Sequence, residues 1–490
     1  MIFNSYSFVF IFLPVTVTVY HLINRTGREL PGKLFLLASS LLFYALGDLK
    51  ALAILTVSIV ANYLIHLKLT SENTGPRAGK AFLILGLVLN LSNLIVFKYL
   101  GFFSGILNSV FRLKLEPVSL FLPLGISFYT FSQIAFLADS HKNPSVRYEF
   151  TDYALFVSFF PKIMMGPIAL AGDMIPQFND KLRKKADPDK IARGLVIFSA
   201  GLAKKVLLAD NLAGYVTWGY SNIDKLGSIN ALIVMLSYTL QIYFDFSGFC
   251  DMAKAVCLML GLDLPDNFLS PYRSASVAEF WDRWHITLTA FFTRYLYIPL
   301  GGSRKGKVRT YVNTFIVFFL SGLWHGADFT FIIWGLIHGA GVSVCRLLKD
   351  KGPKLPRPVS CAGTFLFVNI AWVFFRSETL TDAVNFLKQL FSFKLLPVNI
   401  ELIAAATPDE LQLLQWLILT QRDKVPYVSG CIIIIAFVLI AAFISIYCKN
   451  AAERLASLKL NARSAATTVI LLVVSILSLS GVTEYIYTNF

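Results

Sequence analysis

The feature that most limits what this chain can fold into is a succession of apolar runs, about fourteen in all, separated by short basic segments. Crossing ~30 Å of hydrocarbon takes ~20 predominantly apolar residues in a helix. Runs near 7–23, 50–66, 81–99, 228–247, 328–346 and 431–447 approach that length. Only 15% of the 490 residues are charged and 56% are hydrophobic, against about 25% charged in soluble domains. The mean hydropathy is +0.64. The expected fold class is an all-α polytopic membrane protein, a single transmembrane domain over residues 1–490. Several runs are short or broken by Gly and Pro, as in "LPLGIS" and "FPKIMMGPIAL". About 11 true crossings with two or three re-entrant or partial helices are therefore expected.

Charge sorts the connecting segments. Residues 24–33, 67–80, 181–193, 303–309, 346–357 and 448–463 are rich in Lys and Arg, whereas 377–430 holds four basic residues against six acidic ones. Positive-inside logic places the first group in the cytoplasm and 377–430 outside, with both termini extracytoplasmic. Helical periodicity with apolar faces over 377–395 and 408–420 predicts an interfacial segment. The opening stretch has no basic n-region or small-residue cleavage site and reads as a retained first span. A net charge of +15 is dispersed between apolar runs and comes with no recognition motif. Membrane lipid headgroups are thus the expected partner and nucleic acid is not. The six cysteines form no CxxC pair, which argues against a zinc site or a disulfide framework.

Polar groups at membrane depth must be paired or used, and they concentrate between residues 240 and 340. "QIYFDFSGFCDM" carries Asp245 and Asp251. "FWDRWHITLTAFFTRYLYIPLGG" carries Asp282, Arg283, His285 and Arg294. "SGLWHGADFTFIIWGLIHG" carries Trp324, His325, Asp328 and His338. Plain structural readings exist for most of them. Asp282 and His285, three residues apart on an expected helix, can satisfy each other. Asp245 and Asp251 can pair with Arg283 or Arg294 to hold helices together. Asp328 and His338 read as structural companions, and the aromatic residues as packing. His325 differs, because Gly322 and Gly326 flank it between two apolar halves, where the backbone is free to break and open a pocket. An imidazole titrating near 6.5 can take and return a proton there. No HxxxH or comparable spacing supports a metal.

In this region, and through "MIFNSYSFVFIFLP", "LPLGISFYTFSQIAFLAD", "FVSFFPKIMMGPI" and "AWVFFRS", the chain resembles the membrane-bound O-acyltransferase family. The closest likeness is to the bacterial branch with alginate O-acetyltransferase and the teichoic acid D-alanyl transfer protein. The likeness fades over 378–465. It implies a ring of tilted helices around a central tunnel, with partial helices on the cytoplasmic side. It maps the family's invariant histidine onto His325 and a second histidine of this branch onto His285. The reaction it implies is acyl transfer from a thioester, acetyl-CoA or an acyl-carrier thioester, to a hydroxyl, with no bound cofactor. Such a reaction needs a base for the hydroxyl and donors for the developing oxyanion. Trp324 N–H, amides around Gly326 and His285 are candidate donors, while Arg283, Arg294 or the basic loops 181–193 and 303–309 are candidates to receive a phosphorylated donor. Further implied partners are a polysaccharide synthase and an extracytoplasmic SGNH-hydrolase-type protein that passes the acyl group to an exported polysaccharide. Two other classes fit the buried polar groups: a flippase for lipid-linked sugar, and a non-catalytic scaffold of an export complex.

Overall fold

The computed structural model describes residues 1–113, 120–348, 355–405, 425–481 and 485–486. The described residues are helical, apart from turns and one isolated antiparallel bridge between Phe268 and Trp284. Six of their helices are long and apolar enough to cross a membrane, at Leu49–Leu69, Pro76–Phe111, Ser228–Met259, Phe329–Leu348, Arg357–Arg376 and Tyr427–Tyr447. Two shorter apolar helices span Phe8–Asn24 and Ala462–Leu477. The protein is an all-α, multi-pass membrane protein. Two of the expected runs are not single spans. The 151–170 run folds as Phe150–Ser158 and Phe160–Ile163, with both pieces buried. Pro161 stands in the first turn of the second piece, where its missing N–H has no helical partner to lose. The 284–300 run becomes Ile286–Phe292 followed by a π-helical turn at Thr293–Tyr297.

The chain divides into two compact units. The first contains residues 1–198, 252–265 and 290–295. Within it, α1 (Leu13–Asn24) and α2 (Glu29–Ala45) form a pair, followed by α3 (Leu49–Leu69), α4 (Pro76–Leu94) and α5 (Ile126–Lys142). Asp48 starts α3 by accepting from the amides of Lys50 and Ala51, which satisfies two of the four orphan donors at a helix start. A buried amide cluster ties three helices together: Asn62 of α3 donates to Gln133 of α5 at 2.7 Å, and Asn90 of α4 donates to Asn62 at 2.6 Å. Interhelical amide bonds of this kind hold helices where lipid offers no hydrophobic drive between them. Lys33 of α2 is buried and bonded to Asp152 at 2.8 Å and Asn179 at 2.9 Å.

The second unit contains residues 199–251, 266–289 and 296–490. Its elements include most of α6 (Ser228–Met259), then α7 (Val277–Arg283), the first half of α8 (Ile286–Phe292), α9 (Lys307–His325), α10 (Phe329–Leu348), α11 (Arg357–Arg376) and α12 (Leu380–Leu390). The hairpin of α9 and α10 is closely packed. A Cβ on Gly335 would stand 2.3 Å from the Phe318 carbonyl oxygen, and one on Gly322 would stand 2.3 Å from that of Phe331. Only glycine lets the two backbones approach so closely. Helix α12 lies in the acidic 377–430 segment. Thr379 caps it by accepting from the Asp382 amide, and Phe386 on its buried face stacks on Tyr220 at 4.9 Å. The expected helix at 408–420 lies outside the described residues.

Candidate active site

Helix α9 ends at His325, and Gly326 leaves it in an extended conformation before α10 begins at Phe329. Phe331 packs where a Gly326 side chain would be, with its ring carbon 2.1 Å from the site of a Cβ. The break fixes the imidazole at the end of a helix rather than on its side. His325 is 2% exposed and walled by Trp324 (ring centroids 4.8 Å), Trp334 (5.0 Å) and Phe375 (5.2 Å). Asp328 stands at the start of α10 and accepts from the Thr330 amide at 2.9 Å, a charge placed well at a helix N-terminus.

His285 lies in the same unit, its ring 6.4 Å from that of His325 and 6.0 Å from that of Trp324. It does not share a helix with Asp282. Helix α7 ends at Arg283, and His285 is a left-handed residue at φ 45°, a strained conformation for a side chain of that size. What holds it is a short pairing of backbone: Leu269 N–H donates to the Arg283 carbonyl, and Ile286 N–H donates to that of Asn267. The expected Asp282–His285 pair is therefore corrected, and Asp282 is exposed.

The Asn267 side chain decides the protonation of His285. Its Oδ1 takes the Thr287 amide at 3.2 Å, the Thr287 hydroxyl at 2.9 Å and His285 Nδ1 at 3.2 Å. A backbone N–H can only donate, so this atom is the amide oxygen and the imidazole contributes its N–H from Nδ1. Nε2 of neutral His285 then carries a lone pair, and it is buried with no hydrogen-bond partner among the described residues. As a neutral ring, His285 accepts at Nε2, so it does not serve there as an oxyanion donor.

The other candidates fall into separate places. His338 is fully buried, and its Nδ1 accepts from Trp281 Nε1 at 3.2 Å. Rings of Phe280, Trp334 and Phe367 surround it. Asp245 and Asp251 pair with neither Arg283 nor Arg294. Lys205 binds Asp245 and Asp210, each at 2.8 Å, and Lys204 binds Asp251 at 2.6 Å. The second oxygen of Asp245 accepts the Ile486 amide. Arg283 instead binds Glu279 and the Leu269 carbonyl, bracing the loop that carries Asn267. Arg294 belongs to the first unit and forms two 2.9 Å contacts to Asp139. Lysines inside the apolar run 190–212 and an asparagine in "DNFLSPYRS" thus join these clusters although they were not among the expected residues. Two adjacent lysines at membrane depth were as anomalous as His325 and offered a usable signal. Asn267 offered none, since its role depends on a distant histidine. Among the described residues no group of three or more His, Cys, Asp or Glu is placed to hold a metal.

A peptidoglycan O-acetyltransferase of Helicobacter pylori is 43% identical over 419 residues, covering 79% of each chain. A probable alginate O-acetylase of Pseudomonas aeruginosa is 39% identical over 399 residues, covering 80% of this chain and 75% of the relative. A teichoic acid D-alanyltransferase of Bacillus subtilis is 26% identical over 247 residues, covering 49% of this chain and 62% of the relative. The model of the membrane-bound O-acyltransferase family matches residues 41–380, which include both histidines of the site. The chain belongs to that family and is a membrane O-acyltransferase.

Proposed function

We propose that this enzyme takes an acetyl group from a cytoplasmic thioester, acetyl-CoA or an acyl-carrier thioester, and delivers it for O-acetylation of an exported polysaccharide in the bacterial cytoplasmic membrane. The observation that carries the reading is the buried pair of imidazoles, His285 and His325, 6.4 Å apart in an aromatic enclosure. Support for acetyl and polysaccharide comes from the relatives named for acetylating peptidoglycan and alginate. His325 acts as general base. It takes the proton of the attacking hydroxyl as the new C–O bond forms, then returns it to the sulfur as the C–S bond breaks. The lone pair of His285 Nε2 adds negative potential to the enclosure, which favours the imidazolium while it holds the proton. Trp324 N–H and amides near Gly326 are the donors for the oxyanion. An SGNH-hydrolase-type protein outside the membrane receives the acetyl group and passes it to the polymer made by a neighbouring synthase.

The test is polymer O-acetylation in cells carrying His325→Ala at native membrane abundance. Loss by at least about a hundredfold is expected for removal of a general base. Undiminished acetylation would overturn the assignment. Loss of polymer export, rather than of its acetylation, would favour a flippase.

A further inference from the structure

A polar cavity lies wholly within the first unit. It encloses about 520 Å³ between the turn joining α1 to α2 and the loop at 181–186. Arg25, Arg28, Lys181, Lys184 and Lys185 line it, with Glu29 the only carboxylate among its lining residues. Some neighbouring cations are already committed elsewhere. Arg183 turns to Asp263 at 2.5 Å, and Lys33 is bonded to Asp152 and Asn179. Glu29 takes Lys181 at 3.3 Å.

Lys184 is the buried cation of the lining. It is 7% exposed, and its Nζ has no hydrogen-bond partner among the described residues. A buried ammonium without hydrogen bonds is expensive. Burial accordingly holds its pKa below the ordinary lysine value, and an anion arriving beside it would reverse that cost. His21, also among the lining residues, adds a second signal. Its Nε2 lies 2.8 Å from the Met259 carbonyl, which can only accept, so the neutral ring carries its lone pair on Nδ1. That nitrogen is also buried and without a hydrogen-bond partner among the described residues. The cavity is therefore lined by a buried ammonium without a hydrogen-bond partner among the described residues, by further cations, and by two such buried acceptors, His21 Nδ1 and Asn24 Oδ1.

We infer that this cavity binds a phosphoryl group carrying a neighbouring hydroxyl, with Lys184 on the phosphate oxygens and His21 Nδ1 on the hydroxyl. Two sources share that chemistry: the phosphorylated ribose of a coenzyme A donor, and the headgroup of an anionic glycerophospholipid. The first source rests on the donor assigned under the proposed function; the second does not.

The experiment measures binding by the purified full chain and needs no turnover. In detergent, coenzyme A and dephospho-coenzyme A are titrated separately. In phosphatidylcholine nanodiscs with and without phosphatidylglycerol, retained lipid is counted by native mass spectrometry. Lys184→Gln is expected to weaken binding of at least one probe about tenfold, with Lys184→Arg close to native, since one charge-assisted contact is lost. Loss confined to coenzyme A, and absent for its dephospho form, identifies the donor. Loss confined to phosphatidylglycerol identifies the lipid. Native binding of both probes by Lys184→Gln, or no binding of either by the unaltered chain, would overturn the site. His325→Ala is expected to bind as the native protein does. A failed transfer reaction with binding intact therefore counts against the proposed function and not against this cavity.

Discussion

Replacing Asn267 with alanine is the sharpest perturbation available, because one oxygen atom there settles the chemistry of His285. The Asn267 Oδ1 takes three hydrogen bonds, from the Thr287 amide, the Thr287 hydroxyl and His285 Nδ1. Alanine removes the acceptor from the Thr287 amide and from the imidazole N–H. A buried donor deprived of its acceptor costs about 1–3 kcal/mol, so two give roughly 2–6 kcal/mol of lost stability. A second effect concerns function. Without the Nδ1 anchor, the proton can sit on Nε2, and the Nε2 lone pair is present in only part of the population. Turnover per folded molecule is expected to fall at least about tenfold, equivalent to ~1.4 kcal/mol of barrier. Asn267→Asp separates the two effects, since it keeps an acceptor in place and so should retain the Nδ1–H form. The assay is initial acetyl transfer in isolated membranes, normalised to the folded fraction from fluorescence-detected size-exclusion, with the thermal midpoint measured on the same samples. An Asn267→Ala protein with a lowered midpoint and native turnover per folded molecule would refute the reasoning, leaving Asn267 a purely structural residue.

Other outcomes follow from single contacts. Asp245→Ala leaves Lys205 with one carboxylate and the Ile486 amide without its acceptor. Losing that contact and leaving the amide donor unmet costs about 1–3 kcal/mol, to be read as reduced membrane abundance, whereas Lys205→Met takes the ammonium from both Asp245 and Asp210 and should cost more, about 3–5 kcal/mol. Gly335→Ala would press a methyl against the Phe318 carbonyl and lower the thermal midpoint by the equivalent of about 1–3 kcal/mol, whereas Gly363→Ala, with open space around it, should not. Lys225 holds the exposed Glu401 carboxyl below its ordinary value of 4.5. A depressed carboxyl favours the folded state above its unfolded pKa, and that contribution is lost as the pH falls through the depressed value. Glu401→Gln should leave the midpoint at neutral pH unchanged, because both partners are more than half exposed and solvent screens the pair.

The membrane class was legible in the sequence because a bilayer imposes length and polarity limits that single segments must meet alone. The break at His325 was legible for a local reason as well. Two glycines flank the histidine, and a helix end is written in its nearest neighbours. Partners were not legible. Asp245 reaches Lys205 across 40 residues, Lys33 reaches Asp152 across 119, and His285 takes its tautomer from Asn267, 18 residues earlier, in a turn no periodicity marks. Apolar periodicity says which side chains avoid water, whereas each of these pairings depends on the path by which helices return to one another. From residues alone, a multi-pass helical membrane protein with a titratable group at a helix break was readable. Which nitrogen of His285 holds the proton, and which cations neutralise the buried aspartates, came from the folded arrangement, because a hydrogen bond is set by distance and direction in space and not by separation along the chain.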